Sequence, residues 1–171
     1  MDRAWALDVG KENTNIVAIG YDEGTVVIKI GSDEPVVSMN NGKLVWAKNL
    51  EIFSSNLKAL NVKDENAIKD GEKISLLIKD LGTCDLYPTA VKHSPNGHVF
   101  ALYNDSEYII YRTQNFINSG YGTGTDLVWS INGDFAVRDK YSIVLYKNNN
   151  VQYESIKPEY IVEELYGGPL L

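Results

Sequence analysis

One strand–turn–strand layout occurs three times along the chain, and a repeat of that kind limits the fold more than composition does. The copies run over residues 15–29, 98–112 and 134–147 and align on Ala18, Ala101 and Ala136. After each alanine come an apolar residue, a polar turn and an apolar strand. That strand carries Ile28, Tyr111 and Tyr146 ten positions beyond the alanine, with Lys29, Arg112 and Lys147 one later. The second and third copies also share the preceding turn, His93-Ser94-Pro95-Asn96-Gly97 against Trp129-Ser130-Ile131-Asn132-Gly133. A small alanine fits where strands crowd near a common axis, and Asn-Gly supplies the positive φ of a hairpin turn. The alanines are separated by 83 and 35 residues. The first interval is about two periods of the roughly 40–45 residues of a four-stranded propeller blade, and the second is a shortened one. The pattern predicts an all-β chain of β-propeller blades rather than a sandwich.

The rest of the chain agrees with strands and tight turns. It holds 11 Tyr and 14 Gly, with repeated Asn-Gly pairs, and helical signals are scarce. Val36 to Trp46 is expected to form a hairpin turning at Asn41-Gly42. Leu50 to Leu60 suits either an amphipathic helix or a strand. Asn61 to Lys73 is expected to be an exposed loop, and Ile74 to Leu81, Val151 to Ile156 and Tyr160 to Leu165 to be strands. A propeller ring closes with about four to eight blades. The 171 residues hold only about four at the usual period, and the first blade lacks room for outer strands before Trp5. The chain is therefore expected to be an incomplete portion of a longer protein, with a compact four-bladed ring as the alternative.

Charge, hydropathy and cysteine content exclude several classes of chemistry. Sixteen Lys+Arg against 23 Asp+Glu give a net charge of −7, which argues against nucleic acid, since phosphate backbones need Lys and Arg gathered on one face. No apolar run approaches the roughly 18 residues of a membrane span, and no basic-then-apolar start resembles a signal peptide. The single cysteine, Cys84, permits no internal disulfide and fits a reducing compartment. Asp80 and Asp85 oppose any activation of its thiol by Lys79, so a structural role is expected.

His93 and His98 flank one turn and lack the convergent partners zinc requires; one is expected half-buried on a strand, the other exposed in the turn. The run Gly120-Tyr121-Gly122-Thr123-Gly124-Thr125 invites a phosphate-loop reading. A strand-like Asp126-Leu127-Val128-Trp129 follows it, however, where such a loop needs a helix, so it is expected to connect blades. Neighbouring acids on a strand point to opposite faces and cannot flank one glycosidic bond. Asp22 and Asp105, each four positions beyond a repeat alanine, are expected to accept backbone hydrogen bonds in tight turns. No catalytic, cofactor-binding or metal-binding residue emerges, and no cofactor is implied.

The segment Ala18 to Ile28 resembles the end of a WD repeat, and His93-Ser94-Pro95-Asn96-Gly97 the turn between two inner strands of such a blade. Gly20-Tyr21-Asp22-Glu23-Gly24, Asp33-Glu34-Pro35 and Asn41-Gly42-Lys43-Leu44-Val45-Trp46-Ala47-Lys48 are together similar to the coatomer β′ subunit family. The likeness continues through Ile68-Lys69-Asp70-Gly71-Glu72, Val91 to Gly97 and Glu107-Tyr108-Ile109-Ile110-Tyr111 to Tyr166-Gly167-Gly168-Pro169-Leu170-Leu171, covering essentially the whole chain in order.

The resemblance implies tandem WD propellers, with residues 1–33 in the last, partial blade of a first propeller and 36–171 in the first blades of a second. It implies a non-enzymatic scaffold of the COPI vesicle coat, acting in Golgi-to-ER and intra-Golgi transport. Such a subunit is cytoplasmic, peripheral on Golgi membranes and vesicles, and recruited to them indirectly. The implied partners are other coatomer subunits, especially α. Dilysine cargo tails would bind only through the early blades of the first propeller, which this chain lacks, so no cargo-binding residue is carried over. The alternatives are a WD-repeat adaptor of a signalling or ubiquitin-ligase complex, and a propeller hydrolase using Asp22 or Asp105.

Overall fold

Apolar residues spaced two apart, interrupted by Asn- and Gly-based turns, fold the chain into antiparallel strands joined mostly to their sequence neighbours. The computed structural model describes residues 3–11, 15–30, 35–59, 71, 74–147 and 150–168. Among these there is no α-helix, and the one helical element is a 3-10 turn at Leu57–Ala59. The chain divides into two compact units, Met1–Glu34 and Pro35–Leu171.

The first unit is a three-stranded sheet in the order β1 (Ala4–Val9), β2 (Ile16–Tyr21), β3 (Gly24–Lys29). Ala18 pairs with Val27 and Val17 with Ile28. Trp5, Leu7, Val26 and Val27 are all exposed, and since neighbours on a strand point to opposite faces, both faces of the sheet carry apolar side chains. Asp22 accepts hydrogen bonds from the Trp5 indole and, at 3.5 Å, from the Arg3 backbone N–H.

The second unit contains three four-stranded meanders. They comprise β4 (Val36–Asn40), β5 (Lys43–Lys48), β6 (Glu51–Asn56) and β7 (Lys79–Thr83); then β8 (Ala90–His93), β9 (Val99–Tyr103), β10 (Glu107–Arg112) and β11 (Asn118–Thr123); then β12 (Asp126–Trp129), β13 (Phe135–Arg138), β14 (Ile143–Tyr146) and β15 (Gln152–Ile156). These are the blades of a β-propeller. Phe100, Leu102, Ile109 and Tyr111 of the middle sheet share a buried cluster with Val45, Ala47 and Ile52 of the sheet before it. On the other face Ala101, Tyr103, Tyr108 and Ile110 share a cluster with Leu127, Phe135 and Val137 of the sheet after it. Being covered on both sides explains why β9 and β10 are continuous apolar runs rather than alternating ones.

The repeat alanines occupy equivalent places. Ala101 pairs with Ile110 and Ala136 with Leu145, as Ala18 pairs with Val27. The rung beside Ala101 and that beside Ala136 each carry a stacked ring pair, Phe100 with Tyr111 at 6.0 Å and Phe135 with Tyr146 at 4.8 Å, where Ala18 has Val17 with Ile28. A fourth copy is present at Trp46-Ala47, where Trp46 stacks on its partner Phe53 at 5.7 Å. Ala47 and Ala101 thus face the following sheet, and the Phe100–Tyr111 and Phe135–Tyr146 pairs face the preceding one. Phe100 shares its cluster with Ala47, and Phe135 shares its own with Ala101. The alanines leave room for these rings, a more specific reason than crowding at an axis.

Turn chemistry follows the same repeat. Asn41 and Gly42 take φ of +48° and +78°, the two left-handed residues of a two-residue hairpin turn. In the longer β8–β9 and β12–β13 turns only the glycines are left-handed, Gly97 at +67° and Gly133 at +87°. Their N–H groups donate to Ser94 at 2.9 Å and Ser130 at 3.0 Å, and both serines are buried.

Some expectations need correction. The β7 ladder starts at Lys79, so residues 74–78 are not strand. Tyr160 to Leu165 is not strand either, because among the described residues no chain pairs with it. Within Leu50 to Leu60, residues 51–56 form β6 and 57–59 the 3-10 turn, while Leu60 and the expected loop from Asn61 to Lys73 lie, apart from Gly71, outside the described residues. The glycine run is no connection but mostly strand β11. A Cβ on Gly122 would press on the Tyr108 ring, and one on Gly124 on Val137, so these glycines make room for neighbouring side chains. The acceptor of the β9–β10 turn is Asn104, which receives the Ser106 and Glu107 N–H groups at 2.9 Å each, rather than Asp105.

Filling the alanine positions should break the stack. Ala101→Leu and Ala136→Leu are each expected to cost about 1–3 kcal/mol through overpacking, measured by urea denaturation. Ala18→Leu, at a half-exposed site, should cost less.

Candidate functional site

A cleft of about 680 Å³ opens where β4, β8 and β12, the first strands of the three sheets, converge with the segment from Glu164 to Gly167. Strand alternation sends the neighbouring side chains Lys92 and His93 to opposite faces of β8. His93 turns toward β4: its Nδ1 lies 2.9 Å from Ser38 Oγ, and its backbone N–H donates to the same oxygen at 3.1 Å. Its Nε2 is buried without a hydrogen-bond partner. Burial, with the charge of Lys43 adding to it, pushes the imidazole pKa down to about 4, so the ring is neutral at pH 7 and stays so well below it. Beside it Asn40 donates its side-chain amide to Ser94 O at 2.8 Å and Pro95 O at 3.1 Å.

Lys92 turns the other way, toward β12. Its ammonium donates to Asp126 Oδ1 at 3.1 Å and lies 5.3 Å from the centre of the Tyr103 ring. Burial works against this charge, but hydrogen bonds to Tyr103 and Asp126 outweigh it and raise the lysine pKa. The second Asp126 oxygen accepts the Leu165 N–H at 3.1 Å, and the Trp129 indole donates to Lys92 O at 3.2 Å. Arg138 donates to Val162 O at 2.7 Å. These bonds hold Tyr160 to Gly168 along the last sheet, with Leu165 against the cluster of Val128, Ala136 and Leu145.

The residues weighed from sequence do not assemble a reactive centre. His93 is half-buried on its strand and His98 exposed in the turn, as expected. Cys84 is buried and its thiol donates to Leu86 O at 2.8 Å; burial, more than anything else, raises its pKa, opposite to the direction a nucleophile needs. Among the described residues no three His, Cys, Asp or Glu side chains gather as a metal site would require. Asp22 and Asp105 lie in different units. Sequence reasoning missed the Ser38–His93 and Lys92–Asp126 links. Alternation shows that Lys92 and His93 diverge, but not which residues on the neighbouring sheets meet them.

The His93 pKa fixes a pH dependence. Its folded value is below the unfolded one, so the unfolded chain takes up the proton first and stability rises with pH. Stability should be intact above about pH 6.5 and fall as the pH drops toward about 4. His93→Gln, which keeps a side chain able to bond Ser38, should flatten that fall. Urea midpoints for both proteins at pH 7, 6 and 5 measure it; parallel curves would remove His93 as the cause.

Comparison with known proteins places this architecture in a family. A family model described as COPA/B second beta-propeller matches residues 49–171. Coatomer subunit beta'-2 of Oryza sativa subsp. japonica is 43% identical over 173 aligned positions, covering 100% of this chain and 19% of that protein. The probable coatomer subunit beta' of Caenorhabditis elegans is 40% identical, covering 100% of this chain and 17% of that protein. Coatomer subunit beta' of Mus musculus is 39% identical, covering 100% and 19%. The chain spans about a fifth of the length of the curated relatives it matches. Among solved structures, Kluyveromyces lactis Hsv2 with its loop 6CD replaced by a Gly-Ser linker superposes with a TM-score of 0.52 at 15% identity, covering 92% of this chain and 55% of that one. That likeness is of fold alone. The chain belongs to the coatomer β′ subunit family, and its residues 49–171 fall in the COPA/B second β-propeller.

Proposed function

We propose that the chain is a scaffold portion of the COPI coat, working through protein–protein contacts and not through catalysis. Residues 1–33 supply the last blade of one propeller and 36–171 the first blades of the next. The whole subunit, in this reading, pairs with other coatomer subunits, the α subunit above all, and serves Golgi-to-ER and intra-Golgi transport. It reaches membranes through other proteins; none of the described helices is long and apolar enough to cross one. Dilysine cargo is met elsewhere in the subunit, on blades this chain does not contain.

The observation that carries the reading is the family match over residues 49–171, which takes in half of the first four-stranded sheet of the second unit and all of the two stacked after it. The cleft supports it in a second way. Its charged groups already have partners, Lys92 with Asp126, Asp126 also with the Leu165 N–H, and Glu164 with the Tyr166 hydroxyl, which suits a rigid surface for recognition better than a reacting one. A hydrolase would need convergent, unspent acids, and Asp22 is held by Trp5 and Arg3.

Purification of the tagged full-length parent protein from cytosol, with its partners identified by mass spectrometry, tests the proposal. The other coatomer subunits are expected in near-equal amounts. A different stable partner in their place would leave the propeller standing and overturn the coat assignment.

A further inference from the structure

Away from the cleft, a second recess of about 400 Å³ lies between the β4–β7 and β8–β11 sheets, and we propose that it binds a phosphate dianion, free or as a small phosphomonoester. Lys43 and Lys79 line it together with Ser54, Asn56, Thr113 and Gln114, and among the described residues no carboxylate does. In a chain of net charge −7, two lysines with no described acid between them are unusual. Neither has an ion-pair partner among the described residues.

Strand register puts these groups on one wall. Lys43 pairs with Asn56, and Ser54 pairs with both Val45 and Lys79. Lys43 and Val45 are two apart on β5, so the two rungs share a face, and Val45 is buried against the next sheet. Thr113, just beyond β10, comes from the opposite wall; its hydroxyl is buried and has no hydrogen-bond partner. The Ser55 hydroxyl is also buried and unpartnered. It sits on the Leu44 rung, on the other face, and is not counted as a donor to the recess.

Two ammonium groups on one wall repel each other when the recess is empty, and a dianion between them reverses the sign of that interaction. A tetrahedral oxyanion has enough oxygens to accept from both lysines and from Thr113 at once, whereas a planar carboxylate presents only two. Lys58 is the natural control, since its ammonium is already engaged by Asn41.

The test is phosphorus NMR line broadening of inorganic phosphate and of glycerol 3-phosphate on titration with the full chain. Lys43→Gln and Lys79→Gln should each weaken binding by at least about fivefold, and the pair together should abolish it. Thr113→Val, which keeps shape and charge, should weaken it by about threefold, and Lys58→Gln should leave it unchanged. Both lysines are exposed, so the variants should melt like the parent. Equal affinity for the two probes identifies free phosphate as the ligand, and tighter binding of the ester identifies a phosphomonoester. Absence of broadening with either probe overturns the proposal. So does broadening that survives the double lysine variant, or that Lys58→Gln removes equally.

Discussion

The packing of a ring over an alanine is the contact on which the second unit depends. Sheets stack face to face about 10 Å apart only if large side chains on one meet small ones on the other. Here the small residue is always on the face toward the following element, and the large one arrives from that element: Phe100 with Ala47, Phe135 with Ala101. Phe100 and Ala101 are fully buried and Phe135 nearly so. The rest of the architecture, including the convergence of β4, β8 and β12 around a cleft, follows from sheets held in that order.

This rule was partly legible in the sequence. Alanine spacing revealed three copies because their hairpins are of equal length. The fourth, Trp46-Ala47, escaped because its hairpin is tight: Ala47 pairs with Ile52 only five positions on, and Lys48 stands where the other copies carry an apolar residue after the alanine. An aromatic or branched residue immediately before the alanine would have found all four.

Other misreadings share a cause, which is that a strand is defined by its partner and not by its own pattern. Tyr160 to Leu165 opens on the β-formers Tyr, Ile and Val, yet it is held by single hydrogen bonds to the Asp126 and Arg138 side chains rather than by a ladder. Gly120 to Thr125 looks like a loop, yet Tyr108 and Ile109 across the sheet make it a strand. The candidate site was legible only in outline. His93 was recognisable as half-buried, but its attachment to Ser38, 55 residues earlier, is a property of the stack. No local signal marks it.

Leu165 has a consequence for how the stack is assembled. It covers the Ala136 face in the place a ring occupies at the two earlier junctions. Every junction is therefore closed by sequence that leaves the ribosome after the sheet it protects. Each sheet spends part of its synthesis with one adhesive face finished and uncovered, and the order of translation, as much as the final energy, decides which surface that face meets first.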